Sequence, residues 1–346
     1  MESGSEGLSQ AVSTQSSLIS GLPDDIALTC LARIPRRYHS LLKCVSRKWW
    51  DLPRVAFLPQ KHNLAETWIY ALCKDKSEQL CCYVLDPNMP KKGWKRIPDL
   101  LPSCSKRKGV GFEVLGKKIY FLGGCGWIED ATDEVYCYDA VEMHGVKLLP
   151  CQLQAIDGKM YAIGGLGSKS SDPHSWDTFD SNTNSWASHM DPNVVPEIED
   201  SLVLDGKIYI RCGSSAVSSH VYAVVYDPLN GTWQHADSDM VSGWRGPAIV
   251  VNDTLYVLDQ SSGTRVMVWR KETREWEAFG RLSSILTRPP CRLVAIGKKI
   301  FVVGKGLSTV AFDVDKAANM DGVLVSTSAP KLPSDDDVIS CKSVSL

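Results

Sequence analysis

The sequence predicts a small all-α segment followed by a large all-β domain of six repeats, each of four antiparallel strands. Three observations carry this. A strand-like run recurs with its aromatic at Tyr120, Tyr161, Tyr209, Tyr256 and Phe301, at steps of 41, 48, 47 and 45 residues. A second aromatic and a Trp follow at a spacing of seven, as in Phe179 and Trp186, Tyr226 and Trp233, and Trp269 and Trp276. Upstream, apolar residues switch to a helical period bounded by prolines.

Composition sets the outer bounds. The chain has 346 residues, enough for two domains at roughly 150 residues each. Lys plus Arg is 38 and Asp plus Glu is 40, a net charge of −2, which argues against a protein dominated by phosphate contacts. No apolar run is long enough to span a membrane as a helix. Residues 1–17 are rich in Ser and Gly with no apolar stretch, and are expected to form a disordered tail without a secretory signal. The 12 cysteines are scattered, with no C-x-x-C and no His at zinc-ligand spacing, so they read as reduced core residues. That points to a cytoplasmic or nuclear location.

The helical segment, residues 18–60, opens at Gly21-Leu-Pro-Asp-Asp-Ile. Pro23 suits the first helical position, and Asp24 and Asp25 favour the positive end of the helix. Ile26, Ala27, Cys30, Leu31 and Ile34 are expected on one helical face, with Pro35 as terminator. A second helix is expected over Tyr38–Val45, and Ser46 is placed to cap a third over Arg47–Leu52. Three short helices make a small core, so a partner would stabilise them.

Residues 61–346 hold the repeats. Runs such as Lys118-Ile-Tyr-Phe-Leu-Gly-Gly124 and Lys159-Met-Tyr-Ala-Ile-Gly-Gly165 are short, β-branched and aromatic, and follow Gly or Asp turns. Between aromatic and Trp lies a polar turn such as Asp227-Pro-Leu-Asn-Gly231, a hairpin signal. Four strands per unit of 40 to 50 residues describe a β-propeller blade. The first unit begins at Trp68 without a preceding strand. Asp337 to Leu346 resembles the innermost strands elsewhere, so the C-terminus is expected to complete that blade and close the ring. The second blade is expected to be shortened: Tyr138 to Gly158 is 20 residues, where Phe179 to Gly206 is 27, and no Trp intervenes.

The Gly123-Gly124 and Gly164-Gly165 doublets with spaced aromatics resemble the Kelch-repeat propellers. The order Leu-Pro, Cys-Leu-Ala-Arg-Ile-Pro, Val-Ser-Arg-Lys-Trp resembles an F-box. Together they are similar to the plant F-box/Kelch-repeat group of Skp-interacting partners. That resemblance implies a non-catalytic substrate receptor of an SCF (Skp–cullin–F-box) ubiquitin ligase, bound through a Skp-type adaptor to a cullin. It implies no cofactor, no metal, no nucleic acid and no membrane. On the F-box motif positions, Leu22, Pro23, Ile26, Leu31, Ile34, Pro35, Val45 and Trp49 become the expected adaptor-binding residues and their supporting core. The alternative is a non-ligase Kelch scaffold for protein–protein interaction.

A substrate site is sought where loops gather. In an antiparallel blade, the loop after the second strand and the loop leading into the first lie at one end. Arg107, Lys108, Trp127, Trp176, Trp244, Arg245 and Arg288 fall there, and exposed Trp with Arg is typical of binding hot spots. Arg245 and Arg288 are the expected contacts for an acidic or phosphorylated target segment.

Overall fold

The computed structural model describes residues 17–34, 38–46, 49, 66–97, 106–124, 135–140, 145–147, 153–163, 174–193, 198–212, 222–261, 263–315, 319–320, 322–324, 326–332 and 334–346. The chain divides into two compact units, residues 1–66 with Leu346 and residues 67–345; the helices Asp24–Ala32 and His39–Val45 lie in the first, the helical unit, and the strands in the second, the β unit.

The helical unit contains α1, Asp24–Ala32, and α2, His39–Val45. Pro23 sits just outside α1, at its cap, rather than at the first helical position, and Asp24 and Asp25 fill the first turn. Asp24 also accepts a hydrogen bond from the Leu18 backbone N–H at 2.8 Å, which folds the incoming chain back on the helix. Of the expected third helix, only Trp49 lies among the described residues.

In the β unit six sheets form a six-bladed propeller. From inner to outer strand, blade 2 is Gly111–Leu115, Lys118–Leu122, Val135–Asp139 and Gly145–Lys147. Blade 3 is Leu153–Ile156, Lys159–Ile163, Ser175–Asp180 and Ser185–Met190, and blade 4 is Ile198–Leu204, Lys207–Cys212, Tyr222–Asp227 and Thr232–His235. Blade 5 is Ala248–Val251, Thr254–Asp259, Arg265–Arg270 and Glu275–Arg281; blade 6 is Arg292–Ile296, Lys299–Gly304, Ser308–Asp313 and Thr327–Ala329. Blade 1 takes its innermost strand, Asp337–Ser345, from the far end of the chain, antiparallel to Thr67–Lys74 and followed by Leu80–Leu85 and Lys95–Ile97. Each innermost strand packs beside those of the blades before and after it, and blade 6 beside blade 1.

One detail differs from the spacing argument. Blade 2 keeps a fourth strand, and the economy lies in its length: Gly145–Lys147 pairs only with Tyr136–Tyr138. Blade 6 also has an outer strand, which carries no Trp and is separated from its partner by an insertion. That insertion forms a small hairpin, Asn319–Met320 with Val323–Leu324, laid parallel against blade 5 at Arg281.

The core lies between blades. Val294, Phe301, Leu307 and Ala311 of blade 6 pack on Ile69, Ala71, Tyr83 and Trp94 of blade 1, and four further clusters join other neighbouring blades likewise. The Trp94 indole donates across the gap to Thr309 Oγ1 at 2.9 Å. Gly124 shows why the doublet is glycine: at φ 89° a Cβ would meet the Lys108 carbonyl at 2.7 Å. Polar groups tie the inner strands together. Lys342 pairs with Glu113 at 2.5 Å, and Gln154 donates to the Ser201 carbonyl at 3.0 Å.

Candidate protein-docking surfaces

The helical unit sorts its apolar residues into two sets. Ala27, Leu31 and Ala32 are buried, with Ile34, Leu42 and Trp49 packed half-buried against them. The Trp49 indole N–H donates to the Leu18 carbonyl at 3.0 Å, pinning the chain before α1. The second set faces outward: Leu22, Pro23, Ile26 (46% exposed) and Val45 (64% exposed). Tyr38 and Leu41, which the motif reading did not select, are exposed as well. Leu41 and Val45 are four apart within α2 and so stand on one side of it.

The eight expected adaptor residues therefore divide. Leu31, Ile34 and Trp49 are core, Leu22, Pro23, Ile26 and Val45 are presented, and Pro35 lies outside the described residues. The single helical face also splits, because Ile26 and Cys30 point outward while Ala27 and Leu31 point in. At about 100° per residue, positions 26 and 30 fall on the flank of the stripe formed by 27, 31 and 34.

The loop end of the propeller differs more from expectation. Trp176 is 5% exposed and packs edge-on to Tyr226 at 4.7 Å and to Trp233 at 5.7 Å. Trp244 is fully buried. Its indole donates to Asp200 Oδ2 at 3.1 Å, its carbonyl accepts from Arg211 at 2.8 Å, and the same guanidinium lies 5.8 Å from its ring centroid. Neither indole is available to a partner; both are core residues, not the exposed contacts expected of them. The reason is that an interblade gap of a propeller takes up large flat side chains wherever they arise. Trp127 lies outside the described residues.

The cations of that end remain at the surface. Arg245 is exposed and donates from Nε to the Ser242 carbonyl at 3.0 Å. Arg288 pairs with Asp335 Oδ1 at 3.0 Å, and Lys331 reaches the same oxygen at 2.5 Å. Lys331 first, and Arg288 after it, hold the Asp335 carboxyl below the usual carboxylate range. Lys108 is exposed, 3.9 Å from Glu78, and Arg107 is half-buried. Among the described residues, Arg245 and Arg288 do not meet on a shared partner: Arg245 bonds to the Ser242 carbonyl and Arg288 to Asp335. Arg288 is instead joined to Lys331.

No family model matches the chain. It is 48% identical to the F-box/kelch-repeat protein SKIP4 of Arabidopsis thaliana, over 97% of both chains. The chain belongs to the F-box/kelch-repeat family. More distant relatives from the same plant include the F-box protein AFR, 25% identical over 88% of this chain and 86% of that one, and the F-box/kelch-repeat protein SKIP30, 25% identical over 92% of each.

In this F-box/kelch-repeat chain the described propeller cysteines are buried and packed, whereas Cys30 and Cys44 of the helical unit are exposed. Desolvation by burial pushes Cys81 and Cys291 up to about 11 and Cys341 up to about 12, away from the thiolate that nucleophilic attack or metal binding requires. Among the described residues, no group of three His, Cys, Asp or Glu is placed to hold a metal ion. The chemistry the two surfaces offer is contact: apolar side chains on the helices, and cations with a few apolar side chains at the loop end. The apolar loop residues, Ile285 and Leu286, escaped the sequence reading because lone aliphatics in Ser-Ser-Ile-Leu-Thr carry no periodic signal.

Proposed function

We propose that this chain is the substrate-recognition subunit of an SCF ubiquitin ligase, docking through its helices on a Skp-type adaptor and holding the target at the propeller's loop end. The observation that carries the reading is the outward apolar set, Leu22, Ile26, Leu41 and Val45, on a unit whose own core is a handful of side chains. Such a surface is costly in water and is stabilised by a partner that buries it. Family membership supports the same role. The subunit performs no bond chemistry of its own; its contribution is proximity, raising the effective concentration of a target lysine beside the charged conjugating enzyme. The reading places the chain in the cytoplasm or nucleus, where a fluorescent fusion would be seen.

The test is a pull-down of a purified Skp-type adaptor and cullin by the full chain, beside a form lacking residues 18–52. Retention by the full chain alone supports the proposal. Retention by both, or by neither, overturns it, and the second outcome favours a scaffold that works outside the ligase.

A further inference from the structure

The turn between blades 5 and 6, Leu282 to Cys291, displays an apolar side chain on a braced backbone. Ile285 is 80% exposed. Around it, the Leu286 and Thr287 N–H groups both donate to the Ser283 carbonyl at 3.1 Å. Ser308 Oγ donates to the Leu286 carbonyl at 2.8 Å, and Gln260 Nε2 to the Thr287 carbonyl at 2.9 Å. Thr287 is buried, with its hydroxyl on Ser283 and Thr264, and the Lys305 N–H donates to the Arg288 carbonyl at 2.9 Å. An exposed loop held this firmly loses little freedom on binding, and a β-branched side chain at its tip loses little more.

Beside that tip two cations converge on one carboxylate oxygen. Arg288 and Lys331 share the single carboxylate of Asp335, while Lys305 has Asp337 to itself at 2.9 Å. Asp336 is turned inward, accepting from the Tyr83 hydroxyl at 2.8 Å. The strand end carrying Lys305 is locked to this group through Gly306, where a Cβ would meet Lys331 Cε at 2.6 Å and the Ser334 carbonyl at 2.8 Å. Ile285 and Arg288 are three residues apart, so their backbones lie within about 11 Å, the reach of one short peptide segment.

We infer that this corner of blade 6 is the primary contact for the target, and that it takes an extended acidic segment whose aliphatic side chain packs on Ile285 and whose carboxylate bridges Arg288 and Lys331. The inference rests on the receptor reading above and narrows it to one corner and one chemistry. It replaces the buried indoles as the apolar half of the site. The incoming carboxylate completes the one-to-one pairing that Asp335 alone leaves short, in bonds of the charge-assisted kind.

The test pans a phage-displayed library of random, unmodified dodecapeptides on the full chain held by its Skp-type adaptor. Peptides with Leu, Ile or Val within a few residues of Asp or Glu are expected to dominate. A fluorescein-labelled copy of the best one should bind about tenfold more weakly to Ile285→Ser. Its affinity should fall several-fold in the Arg288→Ala, Lys331→Ala double variant, with a shallower salt dependence. Leu229→Ser removes an equally exposed side chain from the opposite end of blade 4 and should leave binding unchanged. Enrichment without acidic residues, no enrichment over bare support, or undiminished binding by Ile285→Ser overturns the inference. Adaptor retention, read in the same preparations, separates the two failures: if it is lost the receptor reading falls, and if it holds while the peptide result fails, only the blade 6 site does.

Discussion

The helical unit and the propeller treat the same residue types in opposite ways. In the first, Ile26, Leu41 and Val45 stand in water beside a core of Ala27, Leu31 and Ala32. In the second, Trp94, Trp176, Trp244 and Trp269 are buried, although two of them lie next to loops. The difference follows from how much interior each has. Two short helices offer one narrow seam, so most apolar positions have nowhere to go. A ring of blades has a gap at every joint, and each gap accepts aromatic rings from both sides. Exposed apolar residues in the helical unit therefore speak of a partner, whereas a Trp in the propeller speaks first of packing.

The largest effect expected is on the propeller's interior. Removing residues 337–346 takes away the innermost strand of blade 1 and leaves the Thr67–Lys74 strand, with buried Ile69, Ala71 and Cys73, at an open edge. Near-ultraviolet circular dichroism should lose its fixed tryptophan signal. A native spectrum in the shortened chain would mean that the joint between blades 6 and 1 is dispensable.

Next in size is the contrast between two adjacent residues. Trp244→Ala should cost about 3–5 kcal/mol in urea unfolding, since it opens a cavity and strips the indole donor from Asp200. Arg245→Ala, exposed and bonded to the Ser242 carbonyl of its own turn, should stay within about 0.5 kcal/mol. Equal effects would erase the distinction between interior Trp and surface Arg on which the corrected site depends.

The helical unit should show the inverse. Ile26→Asp with Val45→Asp should weaken adaptor binding by about a hundredfold, measured by calorimetry, with helicity unchanged. Leu31→Ala should instead lower the melting point of the unit. Should Leu31→Ala alone abolish binding in a folded unit, presented and supporting residues would not be separable as drawn.

The six-fold period is legible in the sequence because each Lys-Ile-Tyr strand must repeat the same inward residues. The likeness of Asp337 to Leu346 to the innermost strands elsewhere likewise marks a strand that needs a neighbour. The outer strand of blade 6 is not legible, since Thr327–Ala329 is three residues long, lacks a Trp, and follows an insertion that pairs elsewhere. Site residues are harder for a different reason. Motif position names Ile26 and Leu31 together, but only the helix's rotation against its neighbours decides which one is presented. Trp244 and Ile285 invert the usual weighting: the aromatic is interior and the lone aliphatic is outside, a matter of loop path that no local pattern encodes.

The smallest effect concerns the half-buried charge of Asp200 where blades 4 and 5 meet. The Asp200 carboxylate accepts from the Trp244 indole and the Ala248 N–H, both at 3.1 Å, and its other oxygen accepts from the Ser201 N–H at 3.0 Å. Desolvation raises its proton affinity above the usual 3.8, and the nearby Arg211, Trp244 and Arg292 offset that only in part. A carboxyl that binds its proton more tightly in the fold than in the unfolded chain stabilises the fold most at low pH. That contribution is lost as pH rises from about 4 through the raised value. Asp200→Asn keeps an acceptor oxygen and cannot ionise, so the stability of the native chain relative to this variant should fall as pH is raised from 4 and level off by neutrality. Urea midpoints across that range measure it. A difference that grows with pH would show that Arg211 outweighs burial, and that the half-buried charge is a stabilising ion pair rather than a cost carried by the surrounding packing.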